Sequence, residues 1–149
     1  MESAPGPNAI AKPMLPPTEL TQFFWDAAKA HKLAIQRCDD CQHYQHWPQV
    51  RCSKCGSDRL SPSEVSGKGS IYSFCIVHHL FHPGFAADVP YSLAIVELDE
   101  QPGLRVIANI VDCANEAVSV GMAVEVTFEE REGYTLPQFK PAARAEMKA

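Results

Sequence analysis

Hydrophobic and polar positions change their period twice along this chain. Residues 1–17, "MESAPGPNAIAKPMLPP", have no period at all and hold five of the twelve prolines. They are predicted to form a disordered or extended arm. In "TELTQFFWDAAKAHKL", Leu20, Phe23, Phe24, Ala27 and Ala28 recur at helical spacing. A helix is therefore predicted within 18–32. Thr18 would cap it, Glu19 would sit in its first turn, and Lys29, His31 and Lys32 would complement the dipole in its last. From Gly69 the period shortens. "GSIYSFCIVHH" is almost continuously apolar, as in a strand covered on both faces. "YSLAIVEL" and "LRVIANIV" follow. "MAVEVTFEE" alternates, with Met122, Val124, Val126 and Phe128 on one face. "YTLPQF" is shorter, and Pro137 assigns it to an edge. Five strands separated by turn residues predict a mainly β chain with a small antiparallel barrel over 66–141. Residues 142–149 form a polar tail.

Residues 33–65 carry the strongest chemical signal. Cys38, Cys41, Cys52 and Cys55 make C-x2-C-x10-C-x2-C, flanked by the strand patterns "LAIQRC" and "DRLSPSEV". Each pair can form a knuckle that points two sulfurs at one ion. Gly56 suits the turn after the second knuckle, whereas Gln42 holds that place in the first, which is expected to be less regular. Zinc is the favoured metal, with iron the alternative. Four thiolates leave no open position, so the ion is expected to be structural. His43 and His46, between the knuckles, are read as surface residues rather than ligands.

Charge and composition narrow the functional classes. The chain has 149 residues, a formal charge of −5 and only 13 lysines and arginines, which argues against tracking a phosphate backbone. No apolar run approaches the roughly 18–20 residues that cross a bilayer. The N-terminus lacks the basic start and apolar stretch of a secretory signal, so the cytoplasm is expected, where clustered cysteines bind metal. Cys75 and Cys113 are read as buried small hydrophobes.

The loop "VHHLFHPGFAADVPY" contains His78, His79 and His82 but no carboxylate at ligand spacing, so a second metal or catalytic site is not predicted. Its apolar residues, Phe81, Phe85 and Tyr91 among them, require a cover: the barrel itself, a ligand or a partner. In a five-stranded barrel this loop and the one near Arg131 flank the usual binding face. The aromatic helix stripe raises a similar choice. Phe23, Phe24 and Trp25 either pack on their own domain or dock on another chain.

The amphipathic helix, the four-cysteine ribbon, and the segments "SGKGSIYSFCIVHH", "VPYSLAIVELDE", "GLRVIANIVDC", "VSVGMAVEVTFE" and "TLPQFKPA" together resemble the DUF35 family. The resemblance spans about Thr18 to Pro141. It implies an OB-fold barrel preceded by an N-terminal helix and a rubredoxin-like zinc ribbon. It also implies a noncatalytic accessory subunit of a thiolase-like, hydratase or aldolase enzyme, with an acyl-CoA as possible ligand. The segments expected to serve this role are the helix aromatics and the loop from His78 to Tyr91. The rival reading is a single-stranded nucleic-acid binder, with Tyr72, Phe74 and Tyr134 as stacking platforms and Lys54, Lys68, Arg105 and Arg131 as its cations.

Overall fold

A computed structural model describes residues 11–13 and 16–142. Most of the arm expected at 1–17, and all of the tail beyond Ala142, lie outside the described residues.

The helix α1 runs Gln22–Lys29, three residues later than a cap at Thr18 would start it. Thr18 and Thr21 explain the delay. Thr18 N–H donates to the Thr21 hydroxyl at 2.9 Å and Thr21 N–H to the Thr18 hydroxyl at 3.2 Å. This closes a turn ahead of the helix, so Thr21 holds the cap position and Leu20 is left exposed. His31, beyond the helix end, has a φ of 60°. It stacks on Phe128 and bonds Glu130 at 2.7 Å.

Strands β1 (Leu33–Cys38), β2 (Tyr44–Gln45) and β3 (Leu60–Val65) form an antiparallel sheet in the order β2-β1-β3. This sheet carries the cysteines. Strands β4 (Lys68–Val77), β5 (Tyr91–Leu98), β6 (Arg105–Ala108), β7 (Ala123–Arg131) and β8 (Tyr134–Pro141) form the second sheet, in the order β6-β5-β4-β7-β8. It curls until Ile110, just past β6, bridges Phe139 of β8. Two amides help the closure. Asn109 N–H donates to Gln138 Oε1 at 2.8 Å, and Gln138 returns a bond to Asn109 Oδ1 at 3.1 Å. Pro137 lies in an edge strand, as its missing N–H requires.

One core serves both sheets. Phe24, Leu33, Ile35 and Val65 from the helix and ribbon pack in the same cluster as Ile71, Val96, Leu98, Val106, Val124 and Phe139 from the barrel. Only Ser66 and Gly67 separate β3 from β4. Gly67 has a φ of 78°, and a Cβ there would lie 2.2 Å from a Val126 methyl. A second fastening comes from Gln101, whose amide accepts from Tyr44 N–H at 2.9 Å and donates to Tyr44 C=O at 3.0 Å.

The expectation that β4 is covered on both faces fails in its second half. A β-bulge between Ile71 and Ser73 shifts the register against β5. Beyond it Tyr72, Ser73 and Cys75 are exposed. Cys75 is thus not the buried hydrophobe expected from its apolar neighbours, and Cys113 is only partly buried.

Candidate metal centre and binding groove

The two knuckles repeat the same backbone chemistry. Cys38 N–H donates to His43 C=O and Cys52 N–H to Ser57 C=O, at 2.9 and 2.8 Å. Gln42 N–H returns to Cys38 C=O and Gly56 N–H to Cys52 C=O, both at 2.9 Å. Backbone N–H groups also point at sulfur: Cys41 N to Cys38 Sγ at 3.4 Å and Lys54 N to Cys52 Sγ at 3.3 Å. The expected irregularity of the first knuckle is therefore absent. Gln42 adopts the left-handed φ of 67° that Gly56 adopts at 78°. Its side chain, which donates to Asp39 C=O at 2.9 Å, anchors the turn.

The four Sγ atoms lie within 4.8 Å of one another. Cys38 to Cys55 and Cys41 to Cys52 are each 3.6 Å apart. A tetrahedral ion bound at about 2.3 Å by sulfur has edges of about 3.8 Å, so the donor set fits one such ion. Without it the thiols oppose each other. The Cys55 N–H lowers Cys52 to about 6. Cys55 is pushed up to about 12, because desolvation and the neighbouring sulfurs outweigh its bond from Ser57 N–H. A divalent cation removes that opposition, and all four sulfurs then act as thiolates.

Side chains lock the knuckles together. Asp40, between the first two cysteines, binds Ser57 and Arg59 beyond the second pair. The Arg59 guanidinium and the Ser57 hydroxyl hold its carboxyl below the usual value of 3.8. Gln36 and Gln45, both buried, pin the loop between the knuckles. Gln36 accepts from Gln49 N–H at 2.9 Å and from Gln45 at 2.6 Å, while Gln45 accepts from Ser53 N–H at 2.9 Å. Neither was singled out from sequence; the signal was a lone glutamine inside the apolar run "LAIQRC". His46 lies against Phe24 and Trp47 rather than at the surface. Burial lowers its pKa to about 4.

This packing decides between the two readings of the helix stripe for Phe24. Phe24 is 6% exposed and meets His46 and Trp47 of its own ribbon. Phe23 and Trp25 also pack on the core, Trp25 edge-on to Tyr134. The helix is a brace between ribbon and barrel, and Phe24 has no surface to offer a partner.

A second site lies where sequence expected two loops to meet. An open groove of about 390 Å³ runs over the outer face of β5 and β6. Tyr91, Leu93, Ile107 and Leu136 form its apolar walls, with Phe85 from the loop after β4 and Arg131 from the end of β7. Arg131 pairs with Glu129, donates to Tyr134 Oη at 3.0 Å, and lies 5.8 Å from the Phe85 ring centre. Burial works against its charge, but Glu129 and Tyr134 outweigh that and raise its pKa. Lys12, in the described part of the arm, also lines the groove and bonds Asp88 at 2.8 Å.

Of the loop residues singled out from sequence, Phe85 and Tyr91 reach this groove. His82 instead accepts from Gly84 N–H at 2.9 Å and closes a 3₁₀ turn. His78, His79 and Phe81 are exposed and do not line it. The cations proposed for nucleic acid are dispersed. Arg105 pairs with Glu97 and lies 3.6 Å over Tyr72, while Arg131 is held by Glu129. Among the described residues no helix is long and apolar enough to cross a membrane.

The architecture is a four-cysteine ribbon fused to an OB-fold barrel through a shared core. The ribbon matches the ChsH2 rubredoxin-like zinc ribbon domain over residues 25–61, and the barrel matches the ChsH2 C-terminal OB-fold domain over 63–129. A DUF35 domain-containing scaffold protein of Methanothermobacter thermautotrophicus is 30% identical, over 76% of this chain and 84% of that protein. A probable enoyl-CoA hydratase alpha subunit of Thermomonospora curvata is 39% identical, over 83% of this chain and 38% of that subunit. The solved structure titled "Ltp2-ChsH2(DUF35) aldolase" superimposes with a TM-score of 0.78 at 37% identity, covering 89% of this chain and all of that one. The chain belongs to the DUF35 family. It spans about two fifths of the length of the hydratase alpha subunits it matches.

Proposed function

We propose that this chain is a noncatalytic accessory subunit of an enzyme acting on acyl-CoA: a hydratase or an aldolase, or a thiolase-like enzyme. The observation that carries this reading is its likeness, over nearly its whole length, to the DUF35 chain of an aldolase structure. The hydratase alpha subunits and scaffold proteins among its relatives support it. So does the groove, whose charged side chains are engaged with one another: Glu129 with Arg131 and Asp88 with Lys12. Among the described residues that line it, no acid, base and nucleophile converge on one point. The ribbon, with a structural zinc, serves as scaffold.

The groove is where an acyl-CoA would touch this chain. Its walls of Phe85, Tyr91, Leu93, Ile107 and Leu136 suit the acyl end. They do not suit the phosphates, since both nearby cations already have carboxylate partners. The decisive experiment mixes the purified chain with the enzyme subunit recovered beside it from native cells at equal stoichiometry. Co-elution as one complex, with turnover of acyl-CoA higher than for the enzyme alone, is expected. Separate elution and unchanged turnover would overturn the reading.

A further inference from the structure

Among the described residues, β4 beyond its bulge has a strand partner on one side only. Residues Ser73–Val77 pair with β5 through Tyr91–Ile95, but the ladder to β7 ends at Ser70 and Ala123. The last bonds on the β7 side are Ile71 N–H to Met122 C=O at 3.0 Å and Gly121 N–H to Ile71 C=O at 2.8 Å. Ile71 points into the barrel. Side-chain and hydrogen-bonding directions alternate together along a strand. Phe74 and Ile76 oppose the inward Ala94 and Ser92, so their N–H and C=O groups also face the β7 side. Among the described residues nothing bonds them there.

Edges left open in this way are normally guarded by a charge or a proline. Tyr72–Val77 reads "YSFCIV" and holds neither. Apart from Arg105, which lies over Tyr72 and is paired with Glu97, the surroundings are apolar and exposed: Tyr72, Leu93, and at the two ends Leu80, Phe81 and Val120. This is an unguarded edge flanked by apolar side chains, on a chain otherwise rich in acidic groups.

We propose that this edge receives an extended strand of the partner enzyme subunit, neutral or basic in charge and apolar at alternate positions. Only an extended backbone offers the alternating donors and acceptors that Phe74 and Ile76 lack, and a helix has none to spare. Charge selects the partner over a second copy. The edge is neutral, but two copies would bring two chains of formal charge −5 together. The inference rests on the reading of this chain as an enzyme's accessory subunit, and adds where and how the enzyme is held.

The test uses the reconstituted complex of the two purified chains. Hydrogen–deuterium exchange should show the Phe74 and Ile76 amides slowed about tenfold or more on complex formation. Two variants block the edge: Cys75→Lys adds a charge at an exposed position, and Ile76→Pro removes one free donor at a partly buried position outside the core cluster. Each should weaken the complex about tenfold or more. Metal content and thermal melting, measured beside binding, identify any variant that misfolds, and the exchange result on the wild type stands independently. A wild-type complex with both amides unprotected, or variants that fold and bind as wild type, would overturn the proposal while leaving the accessory role intact. No wild-type complex at all would remove that role and this edge's partner together. Protection of the same amides in the chain alone, eluting as a dimer, would assign the edge to a second copy instead.

Discussion

Gln36 shows how one polar side chain can hold a metal site it never touches. Its amide fixes Gln49 through both N–H and C=O, and Gln45 fixes Ser53 beside Cys52. Gln36→Leu removes that anchor and leaves buried partners unsatisfied, so it should cost about 1–3 kcal/mol in denaturant unfolding. His46 predicts a pH dependence. Its folded pKa of about 4 lies below the ordinary 6.5, so the unfolded chain binds more protons between those values. Stability is highest above about pH 6.5 and falls as pH drops toward 4. His46→Phe keeps an aromatic ring against Phe24 and Trp47 and should flatten that loss, amounting to about 2–3 kcal/mol across the window. Equal pH profiles for the two proteins would refute the buried, neutral imidazole. Asp40 works in the opposite group of residues but the same direction. Its pKa is lowered, so its contribution is present above about pH 4 and fades below.

Among the elements, α1 was legible as a helix, while its purpose stayed open between packing on its own domain and docking on another chain. The apolar spacing of Phe24 and Ala28 identifies the helix, but periodicity does not say which surface meets the stripe. Here the answer lay in His46 and Trp47, about twenty residues downstream in a loop of no period. Phe24→Ala should therefore cost about 3–5 kcal/mol by thermal or denaturant unfolding, since it opens a cavity between helix and ribbon. A surface docking residue would cost little. The cysteine spacing was legible because metal geometry constrains it tightly. The groove was half legible: the loop carrying Phe85 and the strand end carrying Arg131 follow from strand order, while Leu93, Ile107 and Lys12 come together only through the barrel's curl. The exposed half of β4 was illegible, because a bulge at Tyr72 leaves an apolar run looking like any buried strand.

For the whole molecule, the ribbon is fastened by its ion and by the barrel. One metal ion per chain is expected by elemental analysis, with zinc rather than iron as the ion of the closed four-thiolate site. Cys38→Ser, at a fully buried ligand, should abolish stoichiometric metal, and chelation of the wild type should lower its melting temperature. Unchanged melting after complete removal of metal would show that the glutamine and Asp40 bonds suffice.

Gly67 leaves no room for a side chain between β3 and β4, and Gln101 grips both polar groups of Tyr44. Ribbon and barrel are accordingly one lever arm. A torque applied at either end is carried to the other, and heat should melt both in a single calorimetric peak.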